Sequence, residues 1–398
     1  MQNKLTQSFN HTKAIILILV LSVFSKEYCT FYINDFGIDF FGYTASIFIF
    51  ILYLKKIKLN SKLFYFIVFS FLTGLISVIF FQMEFLPFFK TIIPIIIIYL
   101  SNYYIIEKNN GRLNKIIEIY IQIAYYAAIL GIIQFLFSLI GINILNSKVI
   151  GRIDSITYEP SHFAAVILPA VIFTILQIKK YRLRAIVLLL SLIGTISLTS
   201  YLAVLIILSI YFSSRIKIIF IIPLFIISFQ YLTKLNNNFN ERYQSSKEIL
   251  IGNNDITNSN LTVLSFATNL EVALFSIKQN PIWGSGIGGH KTNYERYYEN
   301  TAFAKSDYYG FNSIPAHSLF IRIISELGLV GILIYITFFF RVYVKKSDDI
   351  IHHIIFLACL SHFVVKFFKL GGYIDYGTPF FTSLIIVNYL VYKSKLKK

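Results

Sequence analysis

His317, Ser318, Arg322 and Glu326 head an apolar run, "HSLFIRIISELGLVG". A histidine titrates near neutral pH and can take or give a proton. An arginine can hold a phosphate or carboxylate in its planar fork. If the run is a helix starting near His317, then Ser318, Arg322 and Glu326 share one face at i, i+4 and i+8. At 1.5 Å per residue Arg322 lies about 7 Å along the axis and Glu326 about 13 Å, the latter approaching a bilayer midplane. Ionisable groups at that depth normally line a bundle interior or a wet cavity and mark function. The bland alternative is an Arg322–Glu326 pair closing on itself, with His317 at the interface. Gly328 and Gly331 are small enough to admit a close helix neighbour.

A second cluster, Arg152, Asp154, Glu159 and His162, lies in "GRIDSITYEPSHFA". Glu159 also precedes Pro160 and Ser161, where a helix start would favour a negative charge. Lys90, Lys366 and Lys369 stand near the ends of apolar runs, where they can snorkel to headgroups or assist an anion site. Gly284, Gly286 and Gly289 in "NPIWGSGIGG" satisfy GxGxxG without its strand–turn–helix context. They either let backbone N–H groups approach a pyrophosphate or form a plain turn. Trp283 and the tyrosines after it suit sugar stacking or a membrane interface. "SDDIIHH", with Asp348, Asp349, His352 and His353, reads as a capped helix start rather than a metal site. We expect neither metal nor cofactor.

The elements that must position these groups follow from composition. The chain has 398 residues, 56% hydrophobic and 14% charged, against about 25% charged in soluble domains. The apolar residues come in long blocks, and a span needs about 20 of them. Spans are expected near 13–25, 38–54, 63–81, 87–106, 115–141, 162–178, 182–198, 199–213, 215–232, 318–341, 350–368 and 374–392. The first is read as retained, because no small-x-small cleavage site follows it. Short loops between alternate spans hold 22 of the 36 Lys and Arg, the pattern of cytoplasmic loops. Segment 234–317 carries seven basic and seven acidic residues and falls on the opposite side.

The expected architecture is therefore an all-α polytopic membrane protein of about twelve transmembrane helices with both termini cytoplasmic. Residues 1–232 form helices 1–9, 233–317 a large outer loop, and 318–398 helices 10–12, in one integral unit. A loop of that length should contain short helices. "LTVLSFATNLEVALFSIKQNP" reads as one, capped by Asn258 or Ser259 and ended by Pro281, and "KTNYERYYEN" as another. The net charge of +17 is distributed as topology and argues against nucleic acid as a partner. Cys29 and Cys359 form no disulfide framework or metal spacing.

"HSLFIRIISELGLVG" resembles a motif of His, Asn/Ser/Gln, nine residues, Gly, two residues and a small residue, found after the large periplasmic loop of the O-antigen polymerase and ligase superfamily. His317, Ser318, Gly328 and Gly331 occupy its fixed positions. "NPIWGSGIGG" is similar to that family's Pro-x-x-Gly-x-Gly element, and "TYEPSHFA" resembles its Glu-Pro-Ser stretch. Tyr201 in "LTSYLA" stands where relatives often have Arg.

The resemblance implies a bacterial inner-membrane glycosyltransferase using an undecaprenyl-pyrophosphate-linked oligosaccharide at the periplasmic face. It implies His317 as base or acceptor-positioning residue, with Arg322, Glu326, Arg152 and Glu159 beside it. Arg242, Arg296, Gly284, Gly286, Trp283, Lys366 and Lys369 are its candidates for holding substrate. A surface-polysaccharide polymerase is the expected activity, with the lipopolysaccharide ligase as runner-up; a chain-length regulator and a flippase are the expected partners. A flippase activity instead would predict a polar path through many spans, whereas the ionisable groups gather at the outer face.

Overall fold

The computed structural model describes residues 14–25, 29–33, 36–56, 61–81, 84–144, 151–157, 159–212, scattered positions of 234–248, 260–304 and 309–397. The expected ninth span and Arg242 lie outside the described residues. The helices are α1 (Ala14–Phe24), α2 (Ala45–Tyr53), α3 (Ser61–Phe81), α4 (Phe85–Lys108), α5 (Leu113–Leu139), α6 (Pro160–Leu176), α7 (Ile178–Gly194) and α8 (Leu198–Tyr211). After the partly described stretch come α9 (Leu261–Gln279), α10 (His290–Tyr297), α11 (Leu319–Arg341), α12 (Ile350–Phe368) and α13 (Thr378–Lys395). One antiparallel hairpin, β1 (Thr30–Ile33) with β2 (Phe36–Asp39), precedes α2. The second expected span is thus a strand, a short π-turn and a nine-residue helix. Among the described helices, α4, α9, α11, α12 and the run Asn110–Leu139 are long and apolar enough to cross a membrane.

Helix α6 is the hub. Its residues Phe163 to Ile172 are buried on every side, as expected of a helix apolar all round. Ala164, Ala165 and Ala170 let neighbours approach closely. Pro160 starts it, where the missing N–H costs nothing. Pro169 removes the N–H that would have bonded the Ala165 carbonyl. His362 of α12 fills the vacancy, its Nδ1 3.0 Å from Ala165 O. The Tyr120 hydroxyl of α5 donates to Val166 O at 2.6 Å. Two polar side chains thus fasten α5 and α12 to the hub, His362 at the carbonyl that Pro169 leaves open.

The helix expected within 233–317 is α9. Its cap is Asn260, whose side chain accepts from Thr262 N at 3.1 Å, not Asn258 or Ser259. It packs parallel to the first part of α11: Ser265 meets His317 near both starts, and Ser276 meets Ser325 further along.

Helix α11 is not straight. Phe320 and Tyr335 both pack on Phe367, with ring centroids 6.0 and 5.0 Å away. Fifteen residues of unbroken helix would separate them by about 22 Å. The bend is at Gly328, at φ 60°, ψ −155°. The bend follows Glu326, so Arg322 and Glu326 share the helical stretch before the break.

Candidate active site

The bend leaves backbone groups without helical partners, and the "PIWGSG" segment supplies them. Ser285 N donates to Ser325 O at 3.0 Å and Gly286 N to Glu326 O at 2.7 Å. Beyond the break, Leu329 N donates to Pro281 O at 3.0 Å and Val330 N to Ile282 O at 3.2 Å. Irregular backbone is tolerated at membrane depth when protein satisfies it in this way. Asn293 of α10 fastens the joint, its Nδ2 lying 2.7 to 2.9 Å from the hydroxyls of Ser276, Ser285 and Ser325. Gly284 and Gly286, offered as a pyrophosphate cradle, spend their N–H groups on Asn280 and Glu326 instead.

Ser318 caps α11 through Ile321 N, and His317 just before it is buried. Ala316 and His317 both have φ 58°, a left-handed conformation that is costly for residues with a Cβ. Two such residues in succession, beside a candidate site, turn the chain into α11. His317 Nδ1 lies 3.0 Å from Ser265 Oγ, and its ring meets Phe266 edge-on. Burial, reinforced by the Lys369 charge and opposed by Glu159, lowers its pKa to about 3. The imidazole is neutral at neutral pH.

Glu159 and Lys369 meet in the same space. Lys369 Nζ is 3.2 Å from Glu159 Oε2, while Ser161 Oγ and His162 Nε2 approach that oxygen at 3.1 and 3.7 Å. Burial raises the Glu159 pKa, but Lys369 and His162 outweigh it and hold it at about 2. Tyr376 Oη lies 2.6 Å from His162 Nδ1. Glu159, Lys369 and His317 come from the starts of α6 and α11 and the end of α12.

Arg322 and Glu326 form the self-closing pair: Arg322 Nε donates to Glu326 Oε1 at 3.0 Å, with both side chains buried. Tyr373 donates to the other Glu326 oxygen at 2.9 Å, and its ring lies 4.3 Å from the guanidinium. Arg322 also reaches Gly371 O at 3.3 Å. The pair thereby orients the connection between α12 and α13. Lys366 is buried, with Nζ bonded to Gly372 O and, at 2.8 Å, to Thr378 Oγ1. It too organises this connection.

Arg152 donates through Nε and Nη2 to Thr195 O and through Nη2 to Ile196 O, capping the end of α7. A cation suits that negative helix end. The Tyr201 hydroxyl donates to Ile193 O at the same terminus. Arg296 and Lys90 are exposed on α10 and α4. Trp283 is half exposed against Phe69 of α3, whereas Tyr294 and Tyr298 are buried and stacked on each other. Asp349 caps α12 through Ile351 N and His352 N, as expected of "SDDIIHH".

Sequence reasoning missed Tyr373 and Tyr376. Their available signal was the short glycine-bearing connection "KLGGYIDYGTP" between two expected spans.

Residues 156–336 match the family model described as O-antigen ligase. The match starts three residues before Glu159 and ends beyond Gly331, so it holds the Glu-Pro-Ser stretch, the glycine segment and the break in α11. No curated protein matches the chain.

Proposed function

We propose that this chain, whose residues 156–336 match the O-antigen ligase family model, polymerises a surface polysaccharide on the outer face of a bacterial inner membrane. As a multi-pass membrane enzyme of that type, it acts on lipid-linked glycans. Outside the cytoplasm there is no nucleotide sugar, so the donor must arrive activated. An undecaprenyl-pyrophosphate-linked repeat meets that need. Its tail lies between helices and its pyrophosphate at the Lys369 end of α12.

The observation that carries this reading is the convergence of Lys369, Glu159 and His317 from three separate chain regions. Transfer makes a bond from an acceptor hydroxyl oxygen to the anomeric carbon and breaks the bond from that carbon to the pyrophosphate. Charge grows on the departing phosphate, and a preplaced cation stabilises it. Lys369 has that role, held in position by Glu159. The acceptor proton needs a recipient. His317 is neutral and carries one unprotonated ring nitrogen; an anionic donor nearby would raise its proton affinity. Arg322 and Glu326 position the floor of this space.

The family model's description favours a second reading, transfer of finished glycan to lipid A–core. Deletion of the gene followed by gel analysis of surface glycan separates the two. Loss of polymerase leaves a single repeat on the core. Loss of ligase leaves bare core and accumulated carrier-linked polymer. Unchanged glycan would exclude both.

A further inference from the structure

A cavity of about 470 Å³ opens between α5 and the start of α7. It lies at the far end of α6 from Glu159, since α6 runs from Pro160 to Leu176 and α7 begins two residues later. Its walls are Glu118, Gln122 and Tyr125 of α5, and Lys180 to Arg184 of α7. Three of these residues are cations, and the single carboxylate offsets one of them. Lys180 Nζ lies 3.0 Å from Glu118 Oε1 and 4.9 Å from the centre of the Tyr181 ring. The Tyr181 hydroxyl also donates to Glu118 at 3.3 Å. Tyr181 itself is at φ −122°, ψ 28°, so α7 bends here. Lys180 and Arg184 both approach the Tyr181 ring at this bend.

The surface leading out of the cavity is apolar. Leu183, Ile186, Leu190 and Ile193 are all exposed on α7. Their spacing of three, four and three residues puts them on one helix face. The stripe runs from the cations toward the end of α7 that Arg152 caps. A net positive cavity continuous with an apolar stripe fits a headgroup and its acyl chains together. A free phosphate would use the first and leave the second without purpose.

We infer that this cavity binds the phosphodiester headgroup of an anionic phospholipid, with an acyl chain lying along Leu183, Ile186, Leu190 and Ile193. Arg182 and Arg184 take the phosphate, while Lys180 and Glu118 hold the rim in shape. The site is independent of the glycan chemistry at the other end of α6.

The test uses the full chain purified in detergent and native mass spectrometry with added lipid. Phosphatidylglycerol should be retained about tenfold more strongly than phosphatidylethanolamine. The Arg182→Gln/Arg184→Gln variant should reduce that preference to about twofold or less. Leu183→Gln should weaken retention of phosphatidylglycerol while inorganic phosphate leaves no adduct on any variant. If the double variant aggregates, Arg182→Gln alone must lower the preference at least about threefold. Equal retention of the two lipids, an unaltered preference in the variants, or phosphate binding comparable to lipid would overturn the assignment.

Discussion

Gly284 and Gly328 meet backbone to backbone. A Cβ on Gly284 would come within 2.7 Å of Gly328 N, and one on Gly328 within 2.8 Å of Gly284 N. Both have positive φ. The two glycine motifs of the sequence are therefore the two halves of one joint, which breaks α11 and seals the break. The joint in turn holds Glu326 and Arg322 against the α12–α13 connection, beside His317 and Lys369.

Gly328→Ala should be disabling. Its backbone conformation is essentially restricted to glycine, at a cost of about 1–3 kcal/mol for other residues, and its Cβ would lie 2.6 Å from Ile282 O. We expect a lower melting temperature in detergent and faster proteolysis within 281–289. Native stability in this variant would contradict the joint.

Breaking the Arg322–Glu326 pair should cost more than removing it. Arg322→Met leaves Glu326 buried and unpaired, a loss of about 3–5 kcal/mol. Arg322→Met combined with Glu326→Leu should recover part of that. Denaturant melts of the two single variants and the double variant measure the coupling. Additive effects would mean the two side chains act separately.

His317 and His290 make stability pH-dependent. Burial lowers both pKa values to about 3, with Arg322 assisting at His290 and Lys369 at His317. Below the ordinary histidine value the unfolded chain takes up protons that the folded chain refuses. Their contribution is therefore complete above about pH 6.5 and declines as pH falls toward 3. The slope approaches about 1.4 kcal/mol per pH unit for each histidine. His317→Gln should flatten the curve; an unchanged slope would show that His317 is not held neutral.

His362→Leu should loosen the hub. It strips the donor from Ala165 O, whose helical partner Pro169 cannot supply, at a cost of about 1–3 kcal/mol. Restoring an N–H with Pro169→Ala should rescue much of the loss. Failure of that rescue would place the role of His362 elsewhere.

Much of the helical framework was legible because the apolar blocks mark where the helices fall. The histidine motif was legible as a pattern, but its physical reason was not. Hydropathy reads Leu319–Arg341 as one span and cannot see that Gly328 adopts a conformation closed to other residues. It also cannot say that a segment forty residues upstream fills the gap. The roles of Arg152 and Lys366 were obscured for a related reason: a cation bonded to backbone carbonyls looks, in sequence, like a cation awaiting a phosphate. Glu159 and Lys369 are 210 positions apart, and only the packing of α6 against α12 brings them together.

The most direct test places the purified chain in liposomes with an undecaprenyl-pyrophosphate-linked repeat unit and no nucleotide sugar. Longer lipid-linked glycan should form, with release of undecaprenyl pyrophosphate. Lys369→Ala should lower the rate by about 10² or more, as removal of a preplaced transition-state donor does. Undiminished elongation by Lys369→Ala, or transfer by the native chain only when lipid A–core is supplied, would contradict the polymerase reading.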